Sequence, residues 1–170
     1  MPLFQFALLL VFPALAILAA LKDVTSYTIP NWISLALLAA FAPAALASGP
    51  GWAAVGLCLA VGVGLLLLGM GMFAAGWVGG GDAKLLAVCG LWLGWPAALP
   101  FLLVTALAGG ALTLVILNLR SGWFAPIVAG GPAWVRKLGA EGGDIPYGVA
   151  IAVGALVTFP QGALALAIGA

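Results

Sequence analysis

The chain reads as all-α: a single polytopic transmembrane bundle of six helices over residues 1–170, the fourth helix short, with an interfacial segment before the last. Three observations lead there. Hydrophobic residues make up 66% of the chain and charged residues 5%, against roughly 25% charged in ordinary soluble domains. Five apolar stretches come close to the length a bilayer demands, and a sixth is shorter. All five basic residues also sort to one side when six spans are laid across a membrane.

The stretches are 3–21, 30–48, 52–72, 97–119 and 146–169, each close to the about 20 apolar residues a span requires. Residues 83–95 number only 13. As a helix they cover about 20 Å, short of the roughly 30 Å hydrocarbon core. This segment is either a short span in locally thinned bilayer or a half-helix. Pro96 and Pro100 keep it from running straight into the next span. The first stretch lacks a positive amino-terminal region and a small-residue cleavage site, so it reads as an uncleaved span.

With six spans, the connections that carry Lys22, Lys84, Arg120, Arg136 and Lys137 all face one side. The opposite connections, Ser48-Gly49-Pro50-Gly51 and Gly94-Trp95-Pro96, carry no charge. The positive-inside rule makes the charged side cytoplasmic and puts both termini on the other. Five spans would break this sorting. In the longest connection, 120–144, Trp123, Phe124, Trp134, Val135 and Leu138 interleave with Arg136, Lys137 and Pro126. That pattern predicts a segment lying in the headgroup region. Asp144 is placed to cap the last helix, with Pro146 in its first turn. Gly56, Ala60 and Gly64, and Gly90 with Gly94, fall four apart, which lets helices approach closely.

Several chemistries are excluded by inventory. There is no histidine, hence no H-E-x-x-H zinc site and no Ser-His-Asp triad. No basic tract invites nucleic acid. Cys58 and Cys89 are isolated in apolar stretches and read as core residues; two thiols cannot form a four-ligand zinc site. A lysine-activated serine is available in principle, because Ser26 and Ser34 lie near the face of Lys22, but no motif supports it. Acid–base work is left to Asp23, Asp82, Glu141 and Asp144.

Asp23 and Asp82 each sit at or just inside the end of an apolar span, at the same face. Charged groups at membrane depth usually face the bundle interior or a water-filled cavity. Two carboxylates brought together titrate as a unit and share a proton. One can then act as general base on water while the other polarises a carbonyl, which is aspartic-protease chemistry. Asp82 follows Gly79-Gly80-Gly81, read as non-helical backbone able to approach a substrate. Blander readings stand beside these: Asp23 as a solvated partner of Lys22, and Asp82 as the N-cap of the next helix. Lys84, two residues on, points away from the Asp82 carboxylate and reads as a cytoplasmic anchor.

Gly79-Gly80-Gly81-Asp82-Ala83-Lys84 fits a G-x-G-D-x-K motif, Asp23 precedes Ile29-Pro30-Asn31, and Ile145-Pro146-Tyr147-Gly148 opens the last stretch. In that order the three segments resemble the type IV prepilin peptidases, in the small form of tight-adherence pilus systems. The resemblance implies GxGD aspartyl proteases of six spans, with Asp23 and Asp82 as the catalytic pair and neither metal nor cofactor. It gives Gly79, Gly80, Gly81, Lys84, Pro30, Asn31, Pro146, Tyr147 and Gly148 a supporting role. It also implies a pilin-like partner with a short basic leader and a hydrophobic helix, cut at the cytoplasmic face of a bacterial inner membrane. The methylating members carry an insert with paired C-x-x-C motifs. This chain has none, which argues against methyl transfer.

Three other functions use the same aspartates. A presenilin-like protease carries a P-A-L motif after its GxGD helix; here Pro13-Ala14-Leu15 precedes both acids. A transporter builds ion sites from paired broken helices, and only one glycine break is visible here. A pilus-assembly scaffold would need the acids only as interfacial charges.

Overall fold

The computed structural model describes residues 3–140 and 143–169; Glu141 lies outside the described residues. No strand occurs among them. The elements are α1 (Leu3–Ser26), α2 (Asn31–Ser48), α3 (Trp52–Ala74), α4 (Gly80–Arg120), α5 (Ala125–Gly130), α6 (Ala133–Leu138), α7 (Tyr147–Thr158) and α8 (Ala163–Gly169). Among the described residues, five helical segments are long and apolar enough to cross a membrane, the last running from α7 through α8. Helices answer the absence of water in a bilayer core, where every backbone N–H and C=O must be paired within the segment. Leu10, Leu67, Leu103, Leu107 and Leu114 point outward, as suits side chains solvated by lipid. This is an integral membrane protein with an all-α bundle.

The 41 residues of α4 would be about 60 Å long as a straight helix. They are not straight. At Gly94 the backbone leaves the helical region (φ 67°, ψ −171°), a conformation only glycine adopts freely. A Cβ there would stand 2.7 Å from Cys58 Sγ. Before the break, Ala83 packs on Gly69 and Leu91 on Gly62, so 80–93 runs antiparallel to α3. Beyond it, Thr105 packs on Gly154 and Gly109 on Tyr147, so 95–120 runs antiparallel to α7. Asp82 and Ala106 line one cavity, although a straight helix would hold them about 36 Å apart. The chain therefore reverses at Gly94 and α4 supplies two passes, the first of them short. The proline pair contributes less than expected, since Pro96 and Pro100 both lie in the second pass.

Other sequence expectations need correction. The stretch 146–169 is not one helix: Phe159–Gln161 forms a 3₁₀ turn between α7 and α8, where Pro160 has no N–H to give. Gly56, Ala60 and Gly64 are exposed, and neither of the two glycines has anything within 4 Å of its Cβ position. The face of α3 that meets α4 is instead Cys58, Gly62, Leu65 and Gly69. Hydrophobicity all round the helix hid which stripe was inward. Gly90 does pack closely, against Leu65 and Val61. Cys58 and Cys89 are free and buried.

The core centres on Trp92, fully buried and stacked on Phe12 at 5.3 Å, with Phe41 edge-on at 6.2 Å. Its Nε1–H donates to the Leu37 carbonyl at 2.9 Å, tying α4 to α2. The charged side chains collect at one end of the bundle. Arg120 donates through Nε to the Leu138 carbonyl at 3.0 Å and through Nη2 to the carbonyls of Gly143 at 2.8 Å and Asp144 at 3.1 Å. The Lys137 ammonium lies 4.4 Å from the Tyr27 ring centroid. Segment 120–140 thus folds back over the end of α1 as two short helices, leaving Trp123 and Ile127 exposed.

Candidate active site

Asp23 occupies the last turn of α1 and is only 5% exposed. Its Oδ2 accepts the Gly148 N–H at 2.7 Å. Gly148 is the second residue of α7, whose first N–H groups have no partner within the helix. A carboxylate from 125 residues away therefore caps α7 and sits at the positive end of its dipole. Asp144 does not take that place: Pro146 is the N-cap residue, with no side-chain capping bond.

Asp82 lies in the first turn of α4, where Oδ2 accepts the Gly79 N–H at 3.1 Å. It is the third helical residue reaching back, not the N-cap. Its Oδ1 is buried and has no partner among the described residues. Asp82 lines one cavity with Tyr147, the residue before the Gly148 whose N–H Asp23 accepts. The glycine run differs from its reading as open backbone. Gly79 is extended (φ −72°, ψ 154°), while Gly80 and Gly81 are already helical.

Small size explains two of the glycines. A Cβ on Gly148 would meet Ile29 Cδ1 at 2.7 Å and Asp23 Oδ2 at 2.8 Å; one on Gly81 would meet Ile29 Cβ at 3.1 Å. Ile29 is thus a buried wedge against which both glycines close, and they bring α4 and α7 up to Asp23. Sequence reasoning used Ile29 only as part of a motif. Pro30 is the N-cap of α2, with extended backbone, and its carbonyl accepts the Ile33 N–H at 3.0 Å. Pro146 is fully buried at the entrance to α7. Tyr147 lies against Gly109.

Lys84 points away from Asp82, as its spacing requires. It does not simply anchor at the interface, because its Nζ donates to Asn31 Oδ1 at 2.8 Å. That bond joins the helix of Asp82 to the helix after Ile29-Pro30-Asn31. Tyr27 was also missed. It closes α1 in the left-handed region (φ 55°), its N–H on the Asp23 carbonyl at 2.8 Å, where glycine or asparagine is usual. Burial pushes its hydroxyl pKa up against the opposing pull of Arg120. The only sign in the sequence was a helix ending without glycine.

The geometry brings the segments of two acids, Asp23 buried and Asp82 half-buried, together through the packing of Gly81 and Gly148 on Ile29. Such a pair can hold a water and exchange protons with it.

A family model described as the type IV leader peptidase family matches residues 10–114. That range contains Asp23, Ile29-Pro30-Asn31 and Gly79 to Lys84, but not Gly148. The prepilin leader peptidase/N-methyltransferase of Pectobacterium carotovorum subsp. carotovorum is 45% identical over 65 residues, 38% of this chain and 23% of that protein. The likeness thus spans less than a quarter of that relative's length. No solved structure matches. With the family model covering more than half of the chain, this protein belongs to the type IV leader peptidase family.

Proposed function

We propose that this chain is a membrane-embedded aspartic endopeptidase that removes the short basic leader from prepilin-like substrates at the cytoplasmic face of a bacterial inner membrane. The observation that supports the proposal is that Ile29 lies against both Gly81 and Gly148, which brings the segment of Asp82 to the start of the helix that Asp23 caps. A water held between the pair loses a proton to the ionised carboxylate while its oxygen attacks the scissile carbonyl carbon. The protonated carboxylate gives its proton to the carbonyl oxygen. Collapse of the tetrahedral diol breaks the C–N bond: one diol hydroxyl returns its proton to the second acid as the C=O reforms, and the departing nitrogen takes the proton held by the first. A leader carboxylate and a new amino terminus result. Metal and cofactor have no part in these steps.

The polar end of the bundle supports the cytoplasmic assignment, because Lys84, Arg120 and Lys137 cluster there with both acids. Gln5 reaches the Ala47 carbonyl at the opposite end, where α1 begins, in keeping with an amino terminus on the other side. A substrate with a hydrophobic helix enters from the bilayer and presents its leader junction at that level.

The test is co-expression with pilin-like substrates, following leader removal by gel shift. Wild type should cleave, while Asp23→Asn and Asp82→Asn should each lose cleavage at matched membrane levels. Survival of cleavage in either variant would overturn the assignment of the pair. Absence of cleavage by wild type across several substrates would point to the transporter or scaffold reading.

A further inference from the structure

Lys137 stands over the ring of Tyr27, its ammonium 4.4 Å from the centroid, inside the roughly 6 Å at which an aromatic face holds a cation. Tyr27 follows Asp23 by one turn, its N–H on the Asp23 carbonyl at 2.8 Å, so the two residues are about 5.4 Å apart along the helix axis. The left-handed backbone at Tyr27 (φ 55°) turns the chain out of α1 there, a conformation disfavoured for a residue with a side chain. Its hydroxyl is buried and has no partner among the described residues, so what this side chain offers is its ring. Of the charged groups acting on the phenol, Asp23 and Asp144 oppose Arg120, which leaves room for a second cation beside it.

The cation now on the ring is loosely held. Lys137 is exposed and belongs to α6, a helix of six residues, far below the length at which a helix is stable alone. Lys137 on Tyr27 and the Arg120 bond to the Leu138 carbonyl at 3.0 Å tie α6 down.

We infer that the face of Tyr27 is the subsite for a basic side chain of the substrate's leader, and that Lys137 occupies it in the resting enzyme as an internal competitor. The inference rests on the leader-peptidase reading. With the junction at Asp23, an extended leader advances about 3.3–3.6 Å per residue, so a lysine or arginine within two or three residues of the cut reaches the ring. The arriving cation displaces Lys137 and frees α6 from the end of α1.

The experiment measures cleavage kinetics of the full-length enzyme on a pilin-like substrate, with its own leader and with the leader's basic residues replaced one at a time by Gln. Wild type is compared with Tyr27→Phe, Tyr27→Leu and Lys137→Met. In wild type at least one Gln leader should raise KM about three- to tenfold, the range of a partly desolvated cation–π contact. Tyr27→Leu should abolish that difference, and Tyr27→Phe, which keeps the ring, should retain it. Lys137→Met should lower KM about threefold or more for the basic leader and less for the Gln leader; this arm carries the test if Tyr27→Leu does not accumulate. A purely structural latch would change both leaders alike. No Gln penalty in wild type, a penalty that persists in Tyr27→Leu, or a Lys137→Met enzyme whose two KM values move equally or not at all, would overturn the subsite while leaving the peptidase intact. Cleavage of no substrate by wild type would remove both.

Discussion

Gly148→Ala is the most informative single perturbation, because it adds one methyl group and no charge to the centre of the site. Its Cβ would stand 2.8 Å from Asp23 Oδ2 and 2.7 Å from Ile29 Cδ1, where ordinary contact starts at 3.4 Å. The carboxylate must therefore retreat by about 0.6 Å, a displacement that cannot be shared freely, since Ile29 is itself pressed on Gly81. A retreat along the Gly148 bond stretches it from 2.7 Å beyond the usual 2.7–3.2 Å range. A hydrogen bond to a charged group contributes about 1.5–3 kcal/mol, and a 1 Å misplacement at a reacting centre costs about 100-fold in rate. We expect leader cleavage to fall about 10- to 100-fold, with the protein still in the membrane. The assay is a time course of leader removal at matched enzyme levels, with Gly79→Ala for comparison. The Cβ of Gly79→Ala meets only the Asp82 carboxylate, at 3.1 Å, and a loss under about fivefold is expected there. A Gly148→Ala enzyme within twofold of wild type would refute the claim that this N–H sets the position of Asp23.

Gly94→Ala should destabilise the bundle, because backbone in that region costs about 1–3 kcal/mol for a residue with a side chain and the new methyl strikes Cys58. A lower melting temperature in detergent, rescued in part by Cys58→Gly, would register it. Lys84→Met removes an exposed interhelical bond to Asn31, and such bonds average about 0.6 kcal/mol in membrane bundles. Cleavage should drop less than about threefold, and Lys84→Met combined with Asn31→Ala should be no worse than the poorer single variant. Arg120→Gln releases carbonyls of residues 138, 143 and 144 from the end of α4. Faster hydrogen exchange or proteolysis confined to 121–144 is the expected result, and uniform loosening of the whole bundle would contradict it.

Legibility in the sequence divided along physical lines. Membrane class, approximate spans and the clustering of charge at one end are one-dimensional properties, because hydropathy acts residue by residue over a fixed bilayer thickness. Asp23 and Asp82 stood out for the same reason, as rare acids at the ends of apolar runs. The short fourth pass was legible from its length, yet its reversal comes from the φ of Gly94, which composition does not encode. Inward and outward faces are not legible in α3, where Leu, Val and Gly surround the helix: the spacing points to Gly56, Ala60 and Gly64, while the contact is made by Gly62 and Gly69. The cap on α7 was assigned to Asp144 because local sequence offers only neighbours; tertiary packing brought Asp23 from 125 residues away. The wedge of Ile29 between two glycines and the Lys84–Asn31 bond are likewise products of packing. What the chain is made of determined its solvent and its reactive groups. Which of those groups meet was decided by sub-ångström sterics between helices, which no linear pattern carries.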